Sequence, residues 1–235
     1  MNKSDESITI SVSLIYRFTM AVSIALILAN LIGLISRFYL GHEYVFGFIP
    51  KFDLDVEGNV PTWFSTFLLL LSSLLLGIIA LFKNKNKDSY SRRWAILAFL
   101  FLCLSIDEAS GLHELLIDPL NETFDFSGIF YLSWIIVGLV VILLLLFFYW
   151  RFFFRLPKRT RKSILLAATI YLSGAIGLEM VGGYCAYHYK HLALLYCIIT
   201  TIEESLEMVG LVLLSKALLE YLYSYLPTIS FAFTE

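Results

Sequence analysis

The sequence predicts an all-α protein, a polytopic membrane bundle of about six helices. Three observations carry that prediction: 59% of the 235 residues are apolar, only 15% are charged, and the apolar residues gather in runs long enough to cross a bilayer. A soluble domain carries about 45–50% apolar and about 25% charged residues, so this composition belongs in lipid. The formal net charge of −2 leaves no basic surface for nucleic acid, and none is expected as a partner.

A helix needs about 20 apolar residues to cross roughly 30 Å of hydrocarbon. On that measure the spans fall near 16–36, 62–82, 93–115, 129–151, 163–184 and 192–219, in one domain covering 1–235. The first span has acids in its N-terminal flank and no small-x-small site after it, so it reads as a retained helix rather than a cleaved signal. Span two follows Gly58-Asn59-Val60-Pro61-Thr62-Trp63, a turn into a helix with proline in its first turn. Before it lies Asp53-Leu54-Asp55-Val56-Glu57-Gly58, which imitates the opening of a calcium loop but has Phe64 at the twelfth position, and reads as a solvated loop.

Basic residues set the orientation. Lys83, Lys85, Lys87, Arg92 and Arg93 lie between spans two and three, and Arg151, Arg155, Lys158, Arg159, Arg161 and Lys162 between four and five. With Lys3, Arg17 and Lys216 they place both termini in the cytoplasm, in a bacterial-type plasma membrane. The four histidines and most acids fall on the other side.

Acids in solvated loops need no explanation, whereas each charged residue near the centre of a span costs about 2.5–3.5 kcal/mol. Three segments carry such residues: Ser105-Ile106-Asp107-Glu108 through His113-Glu114, Glu179 in span five, and Glu203-Glu204 with Glu207 in span six. Counted along the helix from each span's basic end, Asp107 stands about 21 Å up, Glu179 about 25 Å, Glu203 about 20 Å and Glu207 about 14 Å. Asp107 and Glu114, seven apart, share a helix face, as do Glu203 and Glu207, four apart. Ser173, Gly174 and Gly177 allow close packing around Glu179. Three helices therefore converge carboxylates on one pocket in the outer half of the bilayer.

No lysine or arginine stands at that depth, so the acids share protons or bind cations. Several carboxylates with a histidine form the ligand set of an Fe, Mn or Zn site in a helical bundle. The ligands expected for such a divalent metal are Asp107, Glu114, Glu179, Glu203 and Glu207, with His113, Glu108 and Glu204 as catalytic groups. No Glu precedes a His by three, as it does in soluble di-iron bundles. The Glu203-Glu204 pair lacks the following Arg of intramembrane CAAX-type proteases, and the chain lacks the His-x-x-x-Glu helix of ZIP-type zinc transporters.

The sequence thus predicts a metal-dependent membrane enzyme acting on a lipid-like substrate, with membrane lipid as its partner and the metal activating water or dioxygen. A small cation or proton-coupled transporter using the same acids is the alternative, and a structural or partner subunit the third reading. The apolar stretch Met208–Ser215 below Glu207 seals the inner half and favours a dead-end pocket.

Overall fold

The computed structural model describes residues 11–189 and 194–225, and every described element is helical. The start of the expected sixth span and the flanking Lys3 lie outside the described residues. Helix α1 runs Val12–Tyr39, with the Ser11 side chain accepting the Leu14 N–H as its N-cap. A short α2 (Phe48–Phe52) precedes α3 (Val60–Lys85), which Asn59 caps by accepting the Thr62 N–H, with Pro61 in the first turn as expected. Helix α4 (Ser91–Ser110) returns along α3, and the two form the most extensively packed pair among the described helices.

The third expected span, 93–115, ends early. Gly111 takes a left-handed conformation (φ 59°) and closes α4 by donating its N–H to the Asp107 carbonyl, and α5 (Ile117–Phe124) then leads away from α4 with a bend of 78°. Asp107 and Glu114 therefore do not share a helix face; the turn, and not helical periodicity, brings this segment together. Next come α6 (Trp134–Arg155) and α7 (Lys158–Leu172). Residues Ser173–Leu178 form a π-helical segment that leads into α8 (Glu179–Tyr189), and α9 (Leu194–Tyr225) completes the described chain.

Among the described residues, four stretches are long and apolar enough to cross a membrane: Val12–Tyr39, Val60–Lys85, Trp134–Arg155 and the continuous Lys158–Tyr189. The bent α4–α5 pair makes a fifth if taken as one span. The two expected spans outside that set are those on which Asp107 and Glu108, and Glu203, Glu204 and Glu207, sit. The same charges that mark a candidate site take span character from the helices that bear them.

Helix α9 is nevertheless the centre of the bundle. It packs against α1, α3, α7, α8 and the π-helical segment, while α6 stands at the periphery. Towards one end of the bundle the core holds Leu76, Ile79, Trp94, Phe152, Leu218 and Tyr221; in the middle it holds Leu26, Phe64, Leu68, Met208, Leu211 and Val212. A smaller cluster of Leu34, Cys185, Tyr196 and Cys197 underlies the other end. Two glycines let backbones meet: a Cβ on Gly210 would stand 2.7 Å from the Tyr171 backbone nitrogen, and one on Gly174 2.7 Å from the Glu203 carbonyl oxygen. Close approach around these acids is thus what the small residues before Glu179 provide.

Candidate functional site

The acids meet at the end of the bundle where α4 and α8 are interrupted, and they form an outer and an inner tier. The outer tier begins with the loop between α2 and α3. Asn30, buried in α1, donates to Thr201 Oγ1 of α9 (2.9 Å) and accepts the Leu54 N–H (3.2 Å), so one side chain ties the loop to two helices. Asn59 adds a bond from its amide to the Asp53 carbonyl. This anchored loop delivers Glu57 onto the left-handed turn at Gly111, so closely that a Cβ there would overlap the Glu57 carboxylate.

One ligand atom each from Glu57, His113 and Glu114 lies within 4.8 Å of the others, the only such group of three or more potential metal ligands among the described residues. Behind them, Asp107 embraces His113. Its Oδ1 accepts the His113 backbone N–H at 2.7 Å, and its Oδ2 is 3.0 Å from Nδ1. With Nδ1 donating to this carboxylate, Nε2 is the ring nitrogen that a neutral imidazole would offer to a cation. A carboxylate behind a histidine in this manner is the usual support of a metal-ligating imidazole.

The His113 ring lies 4.7 Å from that of Trp134, whose Nε1 donates to Glu179 Oε1 at 2.9 Å and leads into the inner tier. There Glu203, buried in α9, faces α8, its Oε2 being 3.7 Å from where a Cβ on Gly182 would stand. Tyr171 packs its backbone against Gly210, one turn below Glu207 on α9. Glu108 and Glu204 stand within the field of both tiers: Glu108 feels His113, Glu57 and Asp107, and Glu204 feels Glu207, Glu108 and Glu179. The π-helical turn immediately before Glu179 widens the helix where its carboxylate must reach α9, a placement common at functional sites.

At the rim, outside the spans, two carboxyls are perturbed. Partial removal from water, reinforced by the charges of Glu114 and Asp107, raises Glu57 above the usual carboxylate range. Desolvation pushes Asp55 up to about 6, against the opposing hydrogen bond from Tyr196.

Of the five acids expected as metal ligands, only Glu114 belongs to the three-residue group. Asp107 sits behind the histidine, Glu179 accepts from Trp134, and Glu203 and Glu207 lie on α9 beside the π-helical segment before Glu179. His113, expected as a catalytic group, lies in the ligand position. Asp55 and Glu57 are exposed, as expected of a solvated loop, but Glu57 also belongs to the site, and so does Trp134; neither Glu57 nor Trp134 shares a helix face with the acids it meets, so no spacing within one helix signals them.

Residues 18–221 match the model of a family described as a domain of unknown function (DUF8692). The chain belongs to that family. No curated protein and no solved structure matches it. The DUF8692 match runs from α1 to the last turns of α9 and so takes in both tiers of acids.

Proposed function

We propose that the protein is a metal-dependent membrane enzyme whose cation is held by Glu57, His113 and Glu114 and whose substrate is lipid-like. The observation that carries this reading is the convergence of these three ligands on one point with Asp107 fixing the imidazole. Two carboxylates and one imidazole suit Fe, Mn or Zn, and three protein ligands are the usual number where a position stays open for chemistry. When bound, such a metal supplies Lewis acidity to a substrate oxygen or to water. Asp107 keeps the His113 ring oriented, Glu108 and Glu204 take up and return protons, and the inner tier of Glu179, Glu203 and Glu207 stores them.

We read α4 with α5, and α9, as completing a six-span topology with the basic ends in the cytoplasm and the acid tiers towards the outer leaflet. A cysteine at Asn86 should then resist an impermeant thiol reagent in intact cells while one at Glu43 reacts; the reverse pattern overturns the orientation.

The deciding measurement is metal content after detergent purification and loading with Zn²⁺, Mn²⁺ or Fe²⁺. About one equivalent is expected in the wild type, at least tenfold weaker retention in Glu114→Gln and His113→Ala, and retention unchanged in Glu203→Gln. Absence of metal from the loaded wild type sinks the proposal.

The gathering of Glu203 and Glu207 against the segment that leads into Glu179 favours a second reading, proton-coupled transport. Against it stand Met208, Leu211 and Val212, at most 2% exposed, which separate Glu207 from the next buried polar pair on that face, Ser72 and Ser215. Proton uptake into proteoliposomes that Glu203→Gln abolishes would favour the transporter.

A further inference from the structure

The opposite end of α3 holds a second feature of different chemistry. A cavity of about 220 Å³ opens where α3, α6 and α9 end and α4 and α7 begin, among Lys83, Trp94, Phe152, Arg155, Tyr221 and Tyr225. Its walls are rigid: Trp94, 2% exposed, stacks on Tyr221 (ring centroids 5.2 Å apart) and meets Phe152 edge-on (5.0 Å). Its cations are held on ring faces, with Lys83 Nζ 4.4 Å from the centre of Tyr225 and Arg155 Cζ 5.1 Å from that of Tyr90.

One acid, Asp88, also lines the space, but its charge is spoken for. Its Oδ1 accepts the Tyr90 N–H at 2.8 Å and its Oδ2 pairs with Lys83 at 3.3 Å. Arg155 has no acidic partner among the described residues. The cavity therefore carries one net positive charge, presented by a planar guanidinium whose fork of donors matches the oxygens of a phosphate.

We propose that this cavity binds the phosphate group of an anion, and that the anion is the headgroup of a phospholipid. The source follows from position. The cavity opens at the helix ends, where α6 carries exposed Trp150 and Phe154, and aromatic residues of this kind sit at the level of lipid headgroups. Basic pockets between helix ends are the usual form of headgroup sites. The proposal is independent of the acid tiers, which lie at the other end of α3.

The test titrates the detergent-purified full chain with three probes and reads the thermal midpoint: dihexanoyl phosphatidic acid, dihexanoyl phosphatidylcholine and inorganic phosphate. Phosphatidic acid should raise the midpoint saturably, phosphatidylcholine should not, and Arg155→Gln should weaken the apparent affinity about tenfold. Arg151→Gln removes the same charge from the same helix end outside the cavity and should leave the affinity within about twofold, and Arg155→Lys should fall between wild type and Arg155→Gln. An equal response to inorganic phosphate keeps the site and identifies free phosphate as the source. Equal losses in Arg151→Gln and Arg155→Gln, an equal response to phosphatidylcholine, or no saturable response overturns the proposal. Arg155 is exposed, so the midpoint of Arg155→Gln without ligand should equal that of the wild type, which separates lost binding from lost folding.

Discussion

The two ends of α3 handle charge in opposite ways. At the Lys85 end the cations are spread over ring faces: Lys83 lies over Tyr225, Arg93 and Arg155 over Tyr90, and Arg161 over Phe154. Each keeps part of its charge in water while its stem covers apolar surface, an arrangement that tolerates change. At the Val60 end the acids gather around a histidine and a tryptophan that bond to them, and the backbone itself is bent to bring them together. The basic end is therefore built from interchangeable contacts, and the acid end from a connected network in which each member depends on the next.

The sharpest way to break this contrast is through glycine. Alanine at Gly210 would force its Cβ against the Tyr171 backbone, which cannot rotate away, and should destabilise the protein by about 3 kcal/mol in thermal unfolding. Alanine at Gly77, further towards the basic end of α3, would find its nearest neighbour, Ala98 Cβ, at 4.0 Å and should stabilise the helix by up to about 1 kcal/mol. Equal effects at the two glycines would mean that the ends do not differ in packing.

Asn30 sharpens the comparison next, because it joins α1, α9 and the Glu57 loop through two bonds. Asn30→Leu leaves the Leu54 N–H buried without its acceptor and should cost about 2 kcal/mol in thermal unfolding. Metal retention should fall alongside stability in this variant, although Asn30 is not a ligand. Retention unchanged would show that the loop holds Glu57 in place without the anchor.

Gly111→Ala acts more locally. The left-handed backbone costs about 1–2 kcal/mol for a residue with a Cβ, and that Cβ would displace Glu57. The expected result is a small loss of stability with a disproportionate loss of metal, larger than in Asn30→Leu for the same change in midpoint. A loss of stability with metal retention intact would remove Glu57 from the ligand set.

Helical character and the acid-bearing segments were legible in the sequence because both follow from composition and from charges stranded in apolar runs. Asp107, Glu179, Glu203 and Glu207 stood out for that reason. Their pairing did not, since periodicity reports which residues share a helix face and is silent once the helix stops. Gly111 ends α4 four residues after Asp107, so the seven-residue spacing to Glu114 lost its meaning and a turn took over. Glu57 looked like an ordinary loop acid because its partners lie more than fifty residues away. The π-helical turn at Ser173–Leu178 left a trace, the cluster of small residues before Glu179, but small residues also serve ordinary close packing.

The smallest expected effect is on pH dependence at the rim of the acid end. Asp55 has its folded-state pKa raised from 3.8 to about 6, chiefly by desolvation, so folding favours its protonated form. A carboxyl raised in this way contributes stability that is fully present below about pH 3.8 and lost as the pH rises through about 6. The thermal midpoint should therefore decline between pH 4.5 and 7, the direction opposite to that of a salt-bridged carboxylate. Glu57, raised in the same sense, adds to the decline. Asp55→Asn imitates the protonated form and should flatten the decline while leaving the midpoint at pH 4.5 nearly unchanged. Tyr196→Phe removes a hydroxyl that lowers the Asp55 pKa, so the folded-state pKa should rise further; the onset of the decline stays at the unfolded value, while the decline extends to higher pH and grows in size. A midpoint that rises with pH over this interval in the wild type, or an Asp55→Asn profile parallel to it, would show that Asp55 is hydrated and stands apart from the tiers beneath it.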